Sequence, residues 1–174
     1  GQGVEQSVEK AVELYIMAAE RGNVKAMYDL ALMYSNGQGV AQSFKKAAEL
    51  YTMATEKGHV GAMNNLANMY QDGQGVVQSF KKAVELWTMA IEQGNVNAMC
   101  NLGCMYHHGQ GVVQSFKRAA ELLTMAAEQG HIEAIVDLGH MYYNGHGVAQ
   151  SFKKSAELFT MAAEKGHVSA MSNL

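Results

Sequence analysis

The stretch "CNLGCMYHH" carries two thiols and two imidazoles, at Cys100, Cys104, His107 and His108. Thiolate and imidazole are donors that suit zinc. On a helix these residues stand at i, i+4, i+7 and i+8, along one side. A straight helix separates i from i+7 by about 10 Å. One ion can therefore take Cys100 with Cys104, or Cys104 with His107 or His108, but not all four. A second element has to complete such a shell, and His140 is the candidate. The competing reading is two small apolar cysteines and solvated histidines. A second possibility lies in "GQGV" ahead of a lysine-rich helix, as in "GQGVAQSFKK". Gly-x-Gly in that place can cradle phosphate on backbone amides, or it can be a plain turn. No Ser-His-Asp set or paired carboxylates stand out. The chain reads as non-catalytic, with no cofactor.

The elements that position these residues are copies of one unit. "GQGV" opens the chain and recurs at 37–40, 73–76 and 109–112, then as "GHGV" at 145–148, always 36 residues apart. The units are 1–36, 37–72, 73–108, 109–144 and a partial 145–174. Such a period belongs to helical solenoids. A nucleotide loop normally occurs once, after a strand; this one recurs with no strand pattern before it, so it is read as a turn.

In "SFKKAAELYTMATEKG" (43–58), Phe44, Ala47, Ala48, Leu50, Tyr51, Ala54 and Thr55 share one helical face. Ser43 is placed to cap it, and Gly58, with counterparts at Gly22, Gly94, Gly130 and Gly166, to end it. In the second half of the unit, Ala62, Met63, Leu66, Met69 and Tyr70 form another apolar stripe. His59, His131 and His167 alternate with Asn23 and Asn95 at its start, which makes them caps. Val76 is expected to tuck inward. Neither helix can bury its stripe alone, so stacked neighbours must cover it. All 13 methionines fall in three repeated places, the Met17, Met27 and Met33 sets. The last two sets read as flexible core filling; the Met17 set flanks the exposed side and is expected to touch a neighbouring unit.

The 174 residues suffice for one domain, with 48% apolar and 17% charged residues. A net charge of -3 makes no case for nucleic acid. No apolar run approaches the roughly 20 residues of a membrane span. The chain starts inside a loop and stops inside a helix at "MSNL". It reads as a segment of a longer protein, or one whose uncapped ends stack on other copies.

These residues resemble the Sel1-like repeats, relatives of tetratricopeptide repeats. The family pattern runs Ala-Ala-Glu-x-Gly-His, then Ala-x-x-Asn-Leu-Gly-x-Met-Tyr, then Gly-x-Gly-Val. "AAEQGHIEAIVDLGHMYYNGHGV" (126–148) and "NAMCNLGCMYHHGQGV" (97–112) carry it. The resemblance covers essentially the whole chain. It implies an all-α fold, a right-handed superhelical α-solenoid of helix-turn-helix units (an α/α superhelix) with a concave face. It also implies an adaptor or scaffold role. The family often has proline and aspartate after Gly-Val, where "AQS" or "VQS" stands here. A cysteine-rich bacterial branch crosslinks its helices with disulfides. Cys100 and Cys104, four apart on one helix, do not suit bridging each other, so that branch is a poor match.

The copies differ unevenly. The solvent stripe of helix one (Lys45, Glu49, Thr52, Glu56) is almost uniform across units, departing only at Glu9 and Ile16. The outer stripe of helix two has no majority residue at any of four places. They read Lys25, Gly61, Asn97, Glu133, Ser169; Tyr28, Asn64, Cys100, Val136, Ser172; Leu32, Asn68, Cys104, His140; and Ser35, Gln71, His107, Tyr143. Drift would have blurred both stripes, so the helix-two face is expected to bind a protein or peptide. Bordering it are Asp29, Asn65, Asn101, Asp137 and Asn173, which either bond a peptide backbone or brace the adjacent helix. Tyr28, Leu32 and Tyr143 are candidate anchors. Two other readings stand beside this one: a metal-binding solenoid, and a spacer that assembles through its uniform helix-one face.

Overall fold

Each seven-residue loop has to satisfy the backbone groups left over by two helix ends. In "GQGVAQS" (37–43) the division of labour is visible. Gly37, at φ 68°, sends its N–H to the Met33 carbonyl. Gln38 N–H reaches the same carbonyl at 3.0 Å, and Ser43 N–H reaches Tyr34 O at 2.9 Å. The Gln42 side chain donates to Ser35 O at 2.7 Å. Ser43 Oγ then accepts from Lys46 N–H at 3.3 Å, opening the next helix. The glutamine of "AQS" or "VQS" repeats this at Gln78, Gln114 and Gln150. That is the local job of the residues that replace the family's proline and aspartate.

The structure, a computed structural model, describes residues 2–167. Among them lie the helices α1 (Gln2–Glu20), α2 (Val24–Asn36), α3 (Phe44–Glu56), α4 (Val60–Asp72) and α5 (Phe80–Glu92). They are followed by α6 (Val96–His108), α7 (Phe116–Glu128), α8 (Ile132–Asn144) and α9 (Phe152–Glu164). No strand occurs among the described residues, and none of their helices is long and apolar enough to cross a membrane. The fold is the all-α solenoid repeat. It divides into two compact halves, residues 1–93 and 94–174.

The expected caps are in place. Asn23, His59, Asn95 and His131 accept from the amides of Ala26, Ala62, Ala98 and Ala134. Ser43, Ser79, Ser115 and Ser151 do the same for helix one. His167 would cap residues outside the described ones.

Two features differ from the expectation. The first "GQGV" is not a turn, because Gln2, Gly3 and Val4 lie within α1. The later copies each terminate a preceding helix. The helices joined by the glycine loop (α2 with α3, α4 with α5, α6 with α7, α8 with α9) also pack more extensively than those joined by the short Gly-Asn or Gly-His turn. The principal hairpin therefore straddles the glycine loop. A cation–π contact fastens each one: Lys46 over Tyr34, Lys82 over Tyr70, Arg118 over Tyr106 and Lys154 over Tyr142. Each such contact is worth about 0.5–1 kcal/mol at an exposed site.

The N-terminal half is centred on Met27, Leu30, Ala47, Tyr51, Ala62 and Leu66. In both halves the Met27 and Met33 sets fill the interior: Met27, Met105 and Met141 are each 1% exposed. The Met17 set instead stays 43–47% exposed.

Glycine is required in two ways here. At Gly58 (φ +83°) a Cβ would meet open space, whereas at Gly75 (φ +70°) it would overlap the Phe44 carbonyl. Gly58→Ala should cost about 1–2 kcal/mol, the left-handed term alone. Gly75→Ala should cost about 2 kcal/mol more, because backbone cannot step aside. Urea midpoints read from the single tryptophan check this. Equal losses would show that backbone conformation, and not the close approach, sets the requirement.

Candidate functional site

The helix-two places that differ between copies are only partly solvent-exposed. Lys25, Asn97, Glu133, His140 and Tyr143 are exposed. Tyr28, Leu32, Asn68, Gln71, Cys104, His107 and Val136 are half-buried, and Asn64 and Cys100 are buried at 6% exposure. The expected outer stripe is corrected accordingly. The middle two places, except at His140, are at least half-buried. Ser169, Ser172 and Asn173 lie outside the described residues.

Within each half, the varied residues find individual partners. Tyr28 stacks on His59, with ring centroids 4.3 Å apart. It lies where a Cβ on Gly61 would come within 3.2 Å of its ring. Asn65 donates to the hydroxyls of Tyr51 at 3.2 Å and Tyr28 at 3.5 Å. Of the two roles open to that amide, the structure shows the brace. Burial raises the Tyr51 pKa, against the opposing hydrogen bonds of Asn65 and Ser35. Trp87, wholly buried, donates its indole N–H to Asn68 at 3.2 Å. In the C-terminal half, His131 meets Asn97 at 3.1 Å and His140 meets the Phe159 ring edge-on.

The Cys/His stretch on α6 faces α8. Cys104 Sγ donates to Asp137 Oδ2 at 3.3 Å. The ligand atoms of Cys100, Cys104 and Asp137 all lie within 4.8 Å of one another. Both cysteines are free. The Cys104 pKa is raised well above the usual thiol range, first by its hydrogen bond with Cys100, then by burial, then by the Asp137 charge. Asp137, not the expected His140, is thus the residue of the second element that joins both thiols. His140 instead shares a cavity of about 270 Å³ with Cys104, His107, His108, Leu123, Asp137 and Met141. In the N-terminal half, Lys25 and Asp29 line a cleft of about 490 Å³ with Leu14, Tyr15 and Asn23.

Sequence reasoning missed His146. Its Nδ1 lies 3.3 Å from His107 Nε2, and its ring stacks on Phe116 at 4.3 Å. The signal was available: the second loop position reads Gln38, Gln74, Gln110 and then His146.

Burial, then His108 and His146, hold the His107 pKa below the ordinary 6.5, against the pull of Asp137. The unfolded chain therefore takes up this proton more readily than the folded one. The stabilisation is present above pH about 6.5 and is lost as pH falls through the lower folded value. Stability curves between pH about 7.5 and 5.5 should fall toward acid in the wild type. They should fall less in His107→Asn; parallel curves would assign the loss to other groups.

The comparisons agree with this geometry. The profile of the Sel1 repeat matches residues 1–23, 24–59, 60–95, 96–131 and 132–167. Its frame opens at α2, α4, α6 and α8, so each of the four matches from residue 24 onward encloses one hairpin across the glycine loop. No curated protein matches the chain. Among solved structures, a protective antigen of uropathogenic Escherichia coli displaying an SLR fold is 33% identical with a TM-score of 0.87. That match covers 93% of this chain and 35% of the antigen, so the chain spans about a third of its length. A Sel1 repeat protein from Oxalobacter formigenes is 28% identical with a TM-score of 0.89, over 96% of this chain and 68% of that one. The Helicobacter pylori cysteine rich protein B is 25% identical with a TM-score of 0.59, over 76% of this chain and 96% of that one. That likeness lies in the helical repeat, since both cysteines here are free. With matches running from residue 1 to residue 167, the chain belongs to the Sel1 repeat family.

Proposed function

We propose that this chain is a non-catalytic protein-interaction module. In this reading a peptide or protein surface docks on the face of the second helices. The observation that carries the proposal is the C-terminal cavity, whose wall includes Cys104, His107 and His140, places that differ from copy to copy. A pocket shared by all units would suit a structural role. An individualised one suits recognition of one sequence. Around it, His140 and Tyr143 remain exposed, with Glu133 exposed about two turns before His140 on the same face of α8. Tyr143, at 53% exposure and edge-on to Phe152, offers an amphipathic anchor of the kind that dominates interfaces. Sel1 repeats commonly serve as protein-interaction modules, which supports the same reading. In the N-terminal half, Lys25, Asp29 and Tyr28 extend the proposal, with Asn64, Asn65, Asn68 and Gln71 behind them as bracing. Asn97, Asn101 and Val136 complete it in the C-terminal half.

The spacer alternative gains little. The pairs Lys81–Glu85 and Lys153–Glu157 stand one turn apart within a helix at 4.0 Å, and both are exposed. Such pairs are worth about 0.3–0.5 kcal/mol. Thr52, Thr88 and Thr160 bond back to the carbonyl four residues earlier. Two of the stripe's ion pairs and three of its threonines thus have partners within their own helix.

The test is selection of binders from a displayed peptide library, followed by affinity measurements on folded variants. His140→Ala with Tyr143→Ala should weaken the selected peptides by at least about thirtyfold, the equivalent of one hot spot. Glu49→Lys with Glu121→Lys should leave them within about twofold. The opposite pattern would move binding to helix one and remove this assignment.

A further inference from the structure

We infer that Cys100, Cys104 and Asp137 form a binding site for a zinc ion. The thiols stand one helical turn apart on α6, and the carboxylate arrives from α8, so two rigid elements supply three donors. Their ligand atoms already lie within 4.8 Å of one another. Tetrahedral zinc, with Zn–S of about 2.3 Å and Zn–O of about 2.0–2.2 Å, needs neighbouring donors about 3.5–3.8 Å apart. The required contraction is on the order of 1 Å, within the reach of side-chain rotation. Zinc displaces the two thiol protons, including the one Cys104 now donates to Asp137. The resulting two thiolates and one carboxylate balance a divalent charge more closely than a monovalent one. The hard carboxylate also favours zinc over copper(I).

Access and a fourth ligand are provided on the same side. Cys104 and Asp137 open onto the 270 Å³ cavity, whose wall also holds His107, His108 and His140. Water or one of these imidazoles completes the coordination. The cluster is particular to this place in the sequence. In the same registers of the N-terminal half stand Tyr28, Leu32 and Asn65, where an amide bonds a phenol and no soft donor is present.

The inference does not rest on the peptide-binding proposal, though both use Cys104 and the same cavity, and its test reads sulfur–metal bonds. The whole chain, reduced and freed of metal by chelation, is titrated with cobalt(II), a spectroscopic stand-in for zinc. One equivalent should bind with thiolate-to-cobalt charge-transfer absorption, and one equivalent of zinc should bleach it. Cys104→Ser should abolish most of that absorption. Asp137→Asn should weaken cobalt binding by at least about tenfold while the charge-transfer bands persist. Circular dichroism confirms that each variant is helical. Wild-type protein without charge-transfer absorption overturns the inference, whatever the variants do. So does cobalt bound through histidines alone, or affinity unchanged in folded Asp137→Asn.

Discussion

The whole arrangement depends on one backbone constraint: a helix must end and another begin within seven residues without stranding a polar group. Two glycines with positive φ make this possible. The first closes the preceding helix on Met33 or its counterparts, and the second brings the loop against helix one of the preceding copy at Phe44 and Phe116. Glutamine and serine take the remaining carbonyl and amide. Because nothing in that accounting tolerates an insertion, the 36-residue period is strict. A strict period is what brings equivalent residues of successive hairpins opposite each other.

That register changes the meaning of variation. A face that differs between copies need not be a face that meets a ligand, because neighbouring helices can specialise for one another. The place held by Asn68, Cys104 and His140 lies against the place held by Trp87, Leu123 and Phe159. Asn68 accepts the indole proton, while His140 sets its edge to a phenyl ring. The small position beside it follows the same logic. A Cβ on Gly103 would lie 2.9 Å from Leu123, and one on Gly139 would lie 2.8 Å from Phe159. At crystal-like packing density neither glycine has room for a Cβ. The outermost places, Glu133, His140 and Tyr143 among them, stay exposed.

Periodicity made the helices, caps and loops legible, because each rests on local chemistry: a serine hydroxyl near an amide, a glycine at positive φ, an apolar face at spacings of three and four. The burial of Asn64 and Cys100 was not legible. Both sit where the single-helix pattern turns outward, and burial there depends on residues remote in sequence. The same limit hid the nearness of Asp137 to Cys100 and Cys104, residues more than thirty positions apart in sequence. His146 was hidden differently. One substitution in a loop otherwise repeated as glutamine was legible, but its consequence depends on His107 lying across from it.

The exchange of asparagine for aspartate in one register shows how far a single partner choice reaches. Asn65 can donate, and it meets two phenols, Tyr51 and Tyr28. At Asp137 the equivalent places are Leu123 and Cys100, so both hydroxyls are gone. A carboxylate only accepts, and burying it without donors is costly. The thiol of Cys104 supplies one such donor, and the charge of Asp137 in turn helps keep that thiol protonated. A brace made of neutral amide and phenols has thus become one made of an anion and two sulfurs. Two thiols and one carboxylate are thereby drawn together within 4.8 Å. Here the hydrogen bond from Cys104 is the local answer to an electrostatic problem set by one substitution in the repeat.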